Sequence, residues 1–235
     1  MHDRPVIFIT GASRGIGRHL ARHYLGQGLE VIGCSRGAPP EEPAPNYSHF
    51  QLDVTSEAAV TKVFRDIRTR FGRLDIVVNN AAVNPALSLT LLTSYEAALQ
   101  TLTTNVLGPF VVSREAAKLM MRRKWGRIIN FSSMAARHEV AGEAIYSASK
   151  VAVQSLTRVM AKELHAHGIT CNVIAPSAIA TGMTAGIPEG ALREVLARNA
   201  IPDFGTASDV SNVIDWLIKP ESNAVTGQVI FLGGA

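Results

Sequence analysis

A four-residue apolar run, Val6-Ile-Phe-Ile9, passes through Thr10 into Gly11-Ala-Ser-Arg-Gly15-Ile-Gly17 and then into a segment of helical period. A buried strand that enters a helix through a glycine-rich turn is the first half of a parallel βα unit, whose sheet is covered by helices on both faces. The rest of the chain repeats the alternation. Runs rich in Val and Ile recur at 29–32, 50–52, 75–78, 127–131, 169–174 and 228–232. The stretches between them suit helices near 15–27, 57–71, 91–123, 145–167 and 207–218. The expectation is a single α/β domain over residues 1–235, a doubly wound parallel sheet of seven strands.

With 235 residues, the chain can bury roughly 70–75% of its unfolded surface around one core. Its 47% apolar and 18% charged residues exclude disorder. Cys34 and Cys171 lie in apolar strand-like runs and read as buried reduced thiols rather than a disulfide or metal ligands. Apolar runs fall far short of the ~20 residues that span a bilayer. The first strand begins at Pro5, which leaves no room for a signal-peptide core and points to a cytoplasmic protein. A net charge of +4 without clustering argues against a nucleic-acid partner. Residues 37–45 hold four prolines and read as a loop in place of a crossover helix. The stretch 177–204, rich in Gly and Pro, reads as a lid over the crevice beyond the strands' carboxyl ends.

The glycine turn is spaced G-x-x-x-G-x-G rather than the G-x-G-x-x-G of dinucleotide folds, and taken alone it suits either a dinucleotide phosphate or a structural turn. Gly11, Gly15 and Gly17 let the backbone turn tightly and approach a pyrophosphate, and the amides of Ser13, Gly15 and Ile16 at the helix start would meet its charge. The same residues spell G-x-S-x-G, the nucleophile elbow of hydrolases. That reading lacks an earlier strand loop to supply oxyanion donors, and His167 is the last histidine. Ser147-Ala-Ser-Lys150 matches S-x-x-K without the companion motifs of β-lactamases. About 20 residues past the turn, where an NAD site carries an acid, stands Arg36. Arg36 and Arg14 together favour a 2′-phosphate, hence NADP(H).

Tyr146 and Lys150, four apart at a helix start, share one face. Ser133, after the strand at 127–131, lies thirteen residues earlier, so that a hydroxyl and a phenol can reach one carbonyl oxygen. Thr10 to Gly17, Asn79-Asn-Ala-Ala82, Asn105, Ser133, Tyr146-x-x-x-Lys150 and Pro176 onward resemble, in order and spacing, the short-chain dehydrogenase/reductase family. Gly126-Arg-Ile-Ile-Asn and Gly168-Ile-Thr-Cys-Asn-Val-Ile-Ala-Pro look most like the 3-oxoacyl carrier-protein reductases within it.

That resemblance implies roles residue by residue. Tyr146 is the general acid, Lys150 lowers its pKa and touches the nicotinamide ribose, Ser133 holds the substrate oxygen, and Asn105 holds a water leading from Lys150. An ammonium about 4 Å away at an effective dielectric near 20 contributes roughly 4 kcal/mol, enough to bring a phenol toward neutrality. Asp53 and Val54 would contact the adenine, Asn79 would stabilise the central sheet and reach the cofactor ribose, Ala81 would line the cofactor, and Thr181 would contact its nicotinamide end. Ala82 and Ser177 replace glycines usual in the family, and 201–205 is shorter than usual. Met134 and His138 would border the substrate pocket. His165, His167 and Cys171 read as surface and strand residues, not a metal set. Arg122, Arg123 and Lys124 end a helix where carrier-protein reductases present docking residues, which implies an acidic acyl carrier protein as partner. A homotetramer packed through the helices near 91–123 and 145–167 is also implied.

Overall fold

The computed structural model describes residues 4–38, 44–85, 87–179 and 189–234. Its strands are β1 (Val6–Thr10), β2 (Glu30–Ser35), β3 (Tyr47–Gln51), β4 (Ile76–Asn79), β5 (Gly126–Phe131), β6 (Ile169–Ala175) and β7 (Val229–Phe231). They form one sheet in the order β3-β2-β1-β4-β5-β6-β7, with every pair parallel. The order reverses between β1 and β4. The turns leaving these two strands diverge to opposite faces and open a crevice at the carboxyl edge.

The helices are α1 (Gly15–Gly26), α2 (Glu57–Phe71), α3 (Tyr95–Leu102), α4 (Gly108–Met120), α5 (Ala135–His138), α6 (Ala144–Leu164), α7 (Glu189–Leu196) and α8 (Ala207–Leu217). Alternate side chains of each strand serve opposite faces. Val6 and Phe8 of β1 pack with Phe64 and Ile67 of α2, Val112 and Met120 of α4 and Met160 of α6. Ile7 and Ile9 pack with Leu20 and Tyr24 of α1 and Val210 and Ile214 of α8. Because both faces are buried, β1 and the Ile76–Val78 part of β4 read as continuous apolar runs rather than alternating ones, while β6 also buries the polar Thr170 and Asn172. Cys34 and Cys171 are buried and unbridged. No helix among the described residues is long and apolar enough to cross a membrane.

Two elements depart from the sequence expectation. β3 begins at Tyr47 rather than 50, because an edge strand is half-buried and its polar Tyr47-Ser-His49 carries no apolar signal. The helix expected over 91–123 is interrupted: Ser94 caps α3 by accepting from Ala97 N, and a π-helical turn at Thr103–Leu107 joins α3 to α4. Pro109 has no amide to offer the carbonyl four residues back, and the turn ahead of it widens.

Candidate active site

The crevice holds a cleft of about 1330 Å³ lined by Gly11, Ser13, Arg14, Gly15 and Ile16 of the glycine turn, by Cys34 to Gly37 after β2, by Leu52 to Thr55 after β3, and by Asn80 to Pro85 after β4. A second chamber of about 470 Å³ shares Ile16, Asn80, Ala82, Asn84 and Leu87 with it. The far wall of this chamber carries Ser133, Met134, Glu143, Tyr146, Lys150, Pro176 and Ser177. One long groove therefore runs from the end of β2 to the start of α6.

The glycine turn fits a dinucleotide phosphate. A Cβ on Gly17 would strike the Gly11 carbonyl and lie 2.6 Å from Asn80 Nδ2, so only glycine lets the turn close. Gly11 itself has φ +69°. The helices α2, α3 and α8 start with a serine or threonine side chain that accepts from a backbone amide. α1 starts at Arg14 with no side-chain cap and no acid in its first turn. Its first amides are left to a ligand, and the helix dipole favours an anion there. Asn80 fixes the turn by donating to the carbonyls of Thr10 and Gly11 at 2.9 and 3.3 Å.

On the opposite wall, Tyr146 and Lys150 occupy successive turns of α6, 8% and 3% exposed. Lys150 Nζ donates to Phe131 O at 3.0 Å and lies 5.6 Å from the Tyr146 ring centre. Ser133 follows β5 and accepts from Ala135 N at 3.1 Å. The expected lowering of the Tyr146 pKa is not what this arrangement produces. Burial pushes the phenol up to about 12, Ser133 hydrogen bonding pulls the other way, and the Glu143 carboxylate adds a further raise. Burial also lowers the Lys150 ammonium to about 8. Loss of solvation outweighs the charge–charge term that a fixed distance and dielectric suggest. The phenol is accordingly held as a proton donor.

Several expected site residues sit elsewhere. Asn79 does not line the groove: it is buried behind β4, donating to Ser113 Oγ at 2.8 Å and Asn130 Oδ1 at 2.7 Å. Its neighbour Asn80, on the other side of the strand, faces the cleft instead. Asn105 is also outside the groove. Its Oδ1 accepts from Val83 N and its Nδ2 donates to Val83 O and Ser149 Oγ, so the side chain splints α6 to the loop after β4. His138 belongs to a polar joint at the chamber's edge: Nε2 meets Asn199 Oδ1 at 2.8 Å, and Asn199 Nδ2 donates to Ser177 Oγ at 2.7 Å. Ser177 thereby ties the chamber wall to the segment after α7.

Arg36, Asp53, Val54 and Ala81 line the cleft. One Asp53 oxygen is held by Thr55 N and Oγ1 at 2.9 and 2.8 Å. Thr181 lies outside the described residues, as does 180–188 of the expected lid. Arg122, Arg123 and Lys124 are exposed but precede β5, at the amino edge of the sheet. Ser133 lies beyond the other end of that strand, about 20 Å away at the usual rise. Sequence reasoning left Glu143 and Asn80 without roles; the signal for Glu143 was its place one helical turn before Tyr146.

Fold and groove together define a Rossmann-type oxidoreductase. A family model described as "Enoyl-(Acyl carrier protein) reductase" matches residues 11–234. A "Short-chain type dehydrogenase/reductase" of Picea abies is 35% identical, the match covering 97% of this chain and 91% of the relative. The 3-oxoacyl-[acyl-carrier-protein] reductase FabG of Salmonella typhimurium is 31% identical over 99% of this chain and 97% of its own. Among solved structures, "ElxO with NADP Bound" superposes with a TM-score of 0.89 at 30% identity, covering 97% of this chain and 96% of that one. The chain belongs to the short-chain dehydrogenase/reductase family.

Proposed function

We propose that this protein reduces a ketone to a secondary alcohol with NADPH, and that the ketone is a 3-oxoacyl thioester borne on acyl carrier protein. One observation carries the reductase reading: Ser133, Tyr146 and Lys150 meet on the wall of an apolar chamber that opens into the phosphate-binding cleft. The NADP-bound ElxO structure and the FabG relatives support the cofactor and the substrate class respectively.

NADPH, when bound, supplies the hydride. The uncapped start of α1 would receive its pyrophosphate, and Arg14 and Arg36 its 2′-phosphate. Ser133 donates a hydrogen bond to the substrate oxygen and holds it against Tyr146. The phenol, kept protonated by burial, delivers its proton to that oxygen as negative charge builds there. Lys150, whose Nζ lies 5.6 Å from the Tyr146 ring centre, then stabilises the phenolate left behind. Asn105 acts at one remove by holding Ser149, the residue before Lys150. Atoms balance as ketone, NADPH and one proton giving alcohol and NADP⁺.

A free ketone, sugar or steroid alcohol is the rival substrate, and the position of the basic triplet favours it: Arg122, Arg123 and Lys124 do not border this chain's own groove. The reading is tested by following NADPH consumption with a carrier-bound 3-oxoacyl thioester, its soluble thioester analogue and simple ketones. Preference for the carrier-bound substrate, lost when Arg123 and Lys124 are both changed to glutamate, supports carrier docking. Equal use of free ketones removes it. We further propose a homotetramer, because Leu91, Leu92, Tyr95, Leu99 and Leu107 along the α3–α4 region and Val151 and Val159 on α6 are exposed apolar side chains. Light scattering of the purified protein decides that point.

A further inference from the structure

At the sheet's outer edge a run of polar side chains crosses from β3 to β2. Tyr47 OH lies 2.8 Å from His49 Nδ1, and His49 Nε2 lies 2.8 Å from Ser35 Oγ. Ser35 Oγ in turn donates to Gly37 O at 3.0 Å. The direction of each bond follows from the last. Ser35 has one proton and spends it on a carbonyl, so it must accept from His49 Nε2–H; His49 Nδ1 is then a bare lone pair that accepts from the Tyr47 hydroxyl. Burial lowers the imidazole pKa, which agrees with this neutral tautomer.

The chain is built into the sheet. His49 pairs with Gly33 in the β2–β3 register. A Cβ on Gly33 would collide with the Tyr47 hydroxyl and come within 3.1 Å of His49 Nδ1, so the phenol and imidazole lie over a position that only glycine leaves open. The chain's end is at the cleft: Ser35, Arg36 and Gly37 line it together, with Arg14 across from them.

We propose that the Tyr47–His49–Ser35 chain sets the cofactor preference by holding the Ser35 hydroxyl ready to donate to a 2′-phosphate beside Arg36, with His49 as the positioning residue. This rests on the NADP(H) reading of the cleft. When a phosphate oxygen takes the place of Gly37 O as acceptor, the hydroxyl turns while His49 keeps feeding its lone pair. A charge-assisted bond is roughly twice as strong as a neutral one, so a phosphate gains from the aimed hydroxyl far more than a ribose diol does. Tyr47 restrains the imidazole and fixes its tautomer.

The test is calorimetric titration of the cofactor-free protein with adenosine 2′,5′-bisphosphate and with 5′-AMP, which differ only in the 2′-phosphate. His49→Ala and Ser35→Ala should each weaken the bisphosphate by about tenfold, from loss of one hydrogen bond to a charged group, and leave 5′-AMP unchanged. The double variant should be no weaker than either single one, His49→Gln should recover most of the loss, and Tyr47→Phe should show a smaller loss. Should His49→Ala fail to fold, Ser35→Ala and Tyr47→Phe carry the same comparison. Equal weakening of both ligands would make the chain a packing feature and overturn the proposal. Arg36→Ala separates the two levels: if it weakens the bisphosphate while His49 and Ser35 variants do not, the relay alone is wrong. If Arg36→Ala leaves both ligands unchanged, the phosphate reading falls and the relay with it.

Discussion

Replacing Lys150 with methionine should make the ligand-free protein more stable at neutral pH while removing its activity. The lysine is 3% exposed, so its charge is not screened by solvent. Burial lowers its ammonium from 10.5 to about 8. At about 1.4 kcal/mol per pKa unit, holding the charged form in the folded chain costs about 3 kcal/mol. The sign is that of a depressed lysine. Below pH 8 both states are protonated and the whole penalty is present. Between 8 and 10.5 the folded state has lost its proton while the unfolded chain keeps it, so wild-type stability rises with pH. Methionine has a similar shape and no charge, and it loses the bond to Phe131 O, worth about 1 kcal/mol when the amine is neutral. Urea unfolding followed by circular dichroism should therefore give Lys150→Met a margin over wild type of about 2 to 3 kcal/mol at pH 7 that closes as the pH approaches 10.5. Turnover should fall by about 100-fold or more. A margin that stays constant from pH 7 to pH 10, or a variant weaker than wild type at pH 7, would refute the desolvation argument.

Tyr146→Phe keeps the ring and removes the acid, so turnover should drop by about 100-fold or more while nucleotide binding, read by fluorescence, persists. Glu143→Gln should stabilise the protein above the pH at which Glu143 ionises and have little effect in acid: burial raises this carboxyl above its ordinary value of 4.5, so the folded chain loses stability as pH rises through the raised pKa. Thermal melts at acidic and neutral pH check this, and a margin confined to acid would contradict it. Gly17→Ala must push its Cβ into the Gly11 carbonyl, and overpacking of this kind costs about 1 to 3 kcal/mol. A lower melting temperature with weakened dinucleotide binding is expected, and unchanged binding would show that the turn can yield.

The chain's covalent order by itself determined the alternation of β and α, the glycine turn after β1, and the pairing of Tyr146 with Lys150, because each depends on residues close in sequence. A strand buried on both faces shows itself as an unbroken apolar run, and a spacing of four on a helix fixes a common face wherever that helix packs. What neighbours in space decide was hidden. Asn79 and Asn80 are adjacent letters, yet one is sealed against Ser113 of α4 and the other clamps the glycine turn, since successive side chains leave β4 on opposite sides. The polar Tyr47-Ser-His49 lay outside the strand expected at 50–52, because β3 took the sheet's edge, where a half-buried strand needs no apolar run. The basic triplet before β5 resembles a docking site in sequence, but strand direction carries it to the amino edge, a strand's length from Ser133. The electrostatics of the wall carrying Tyr146 and Lys150 went furthest from the sequence expectation. Spacing placed an ammonium near a phenol, whereas the depth at which β5 and α6 bury both decided that desolvation, not mutual attraction, governs their pKa values in the ligand-free chain.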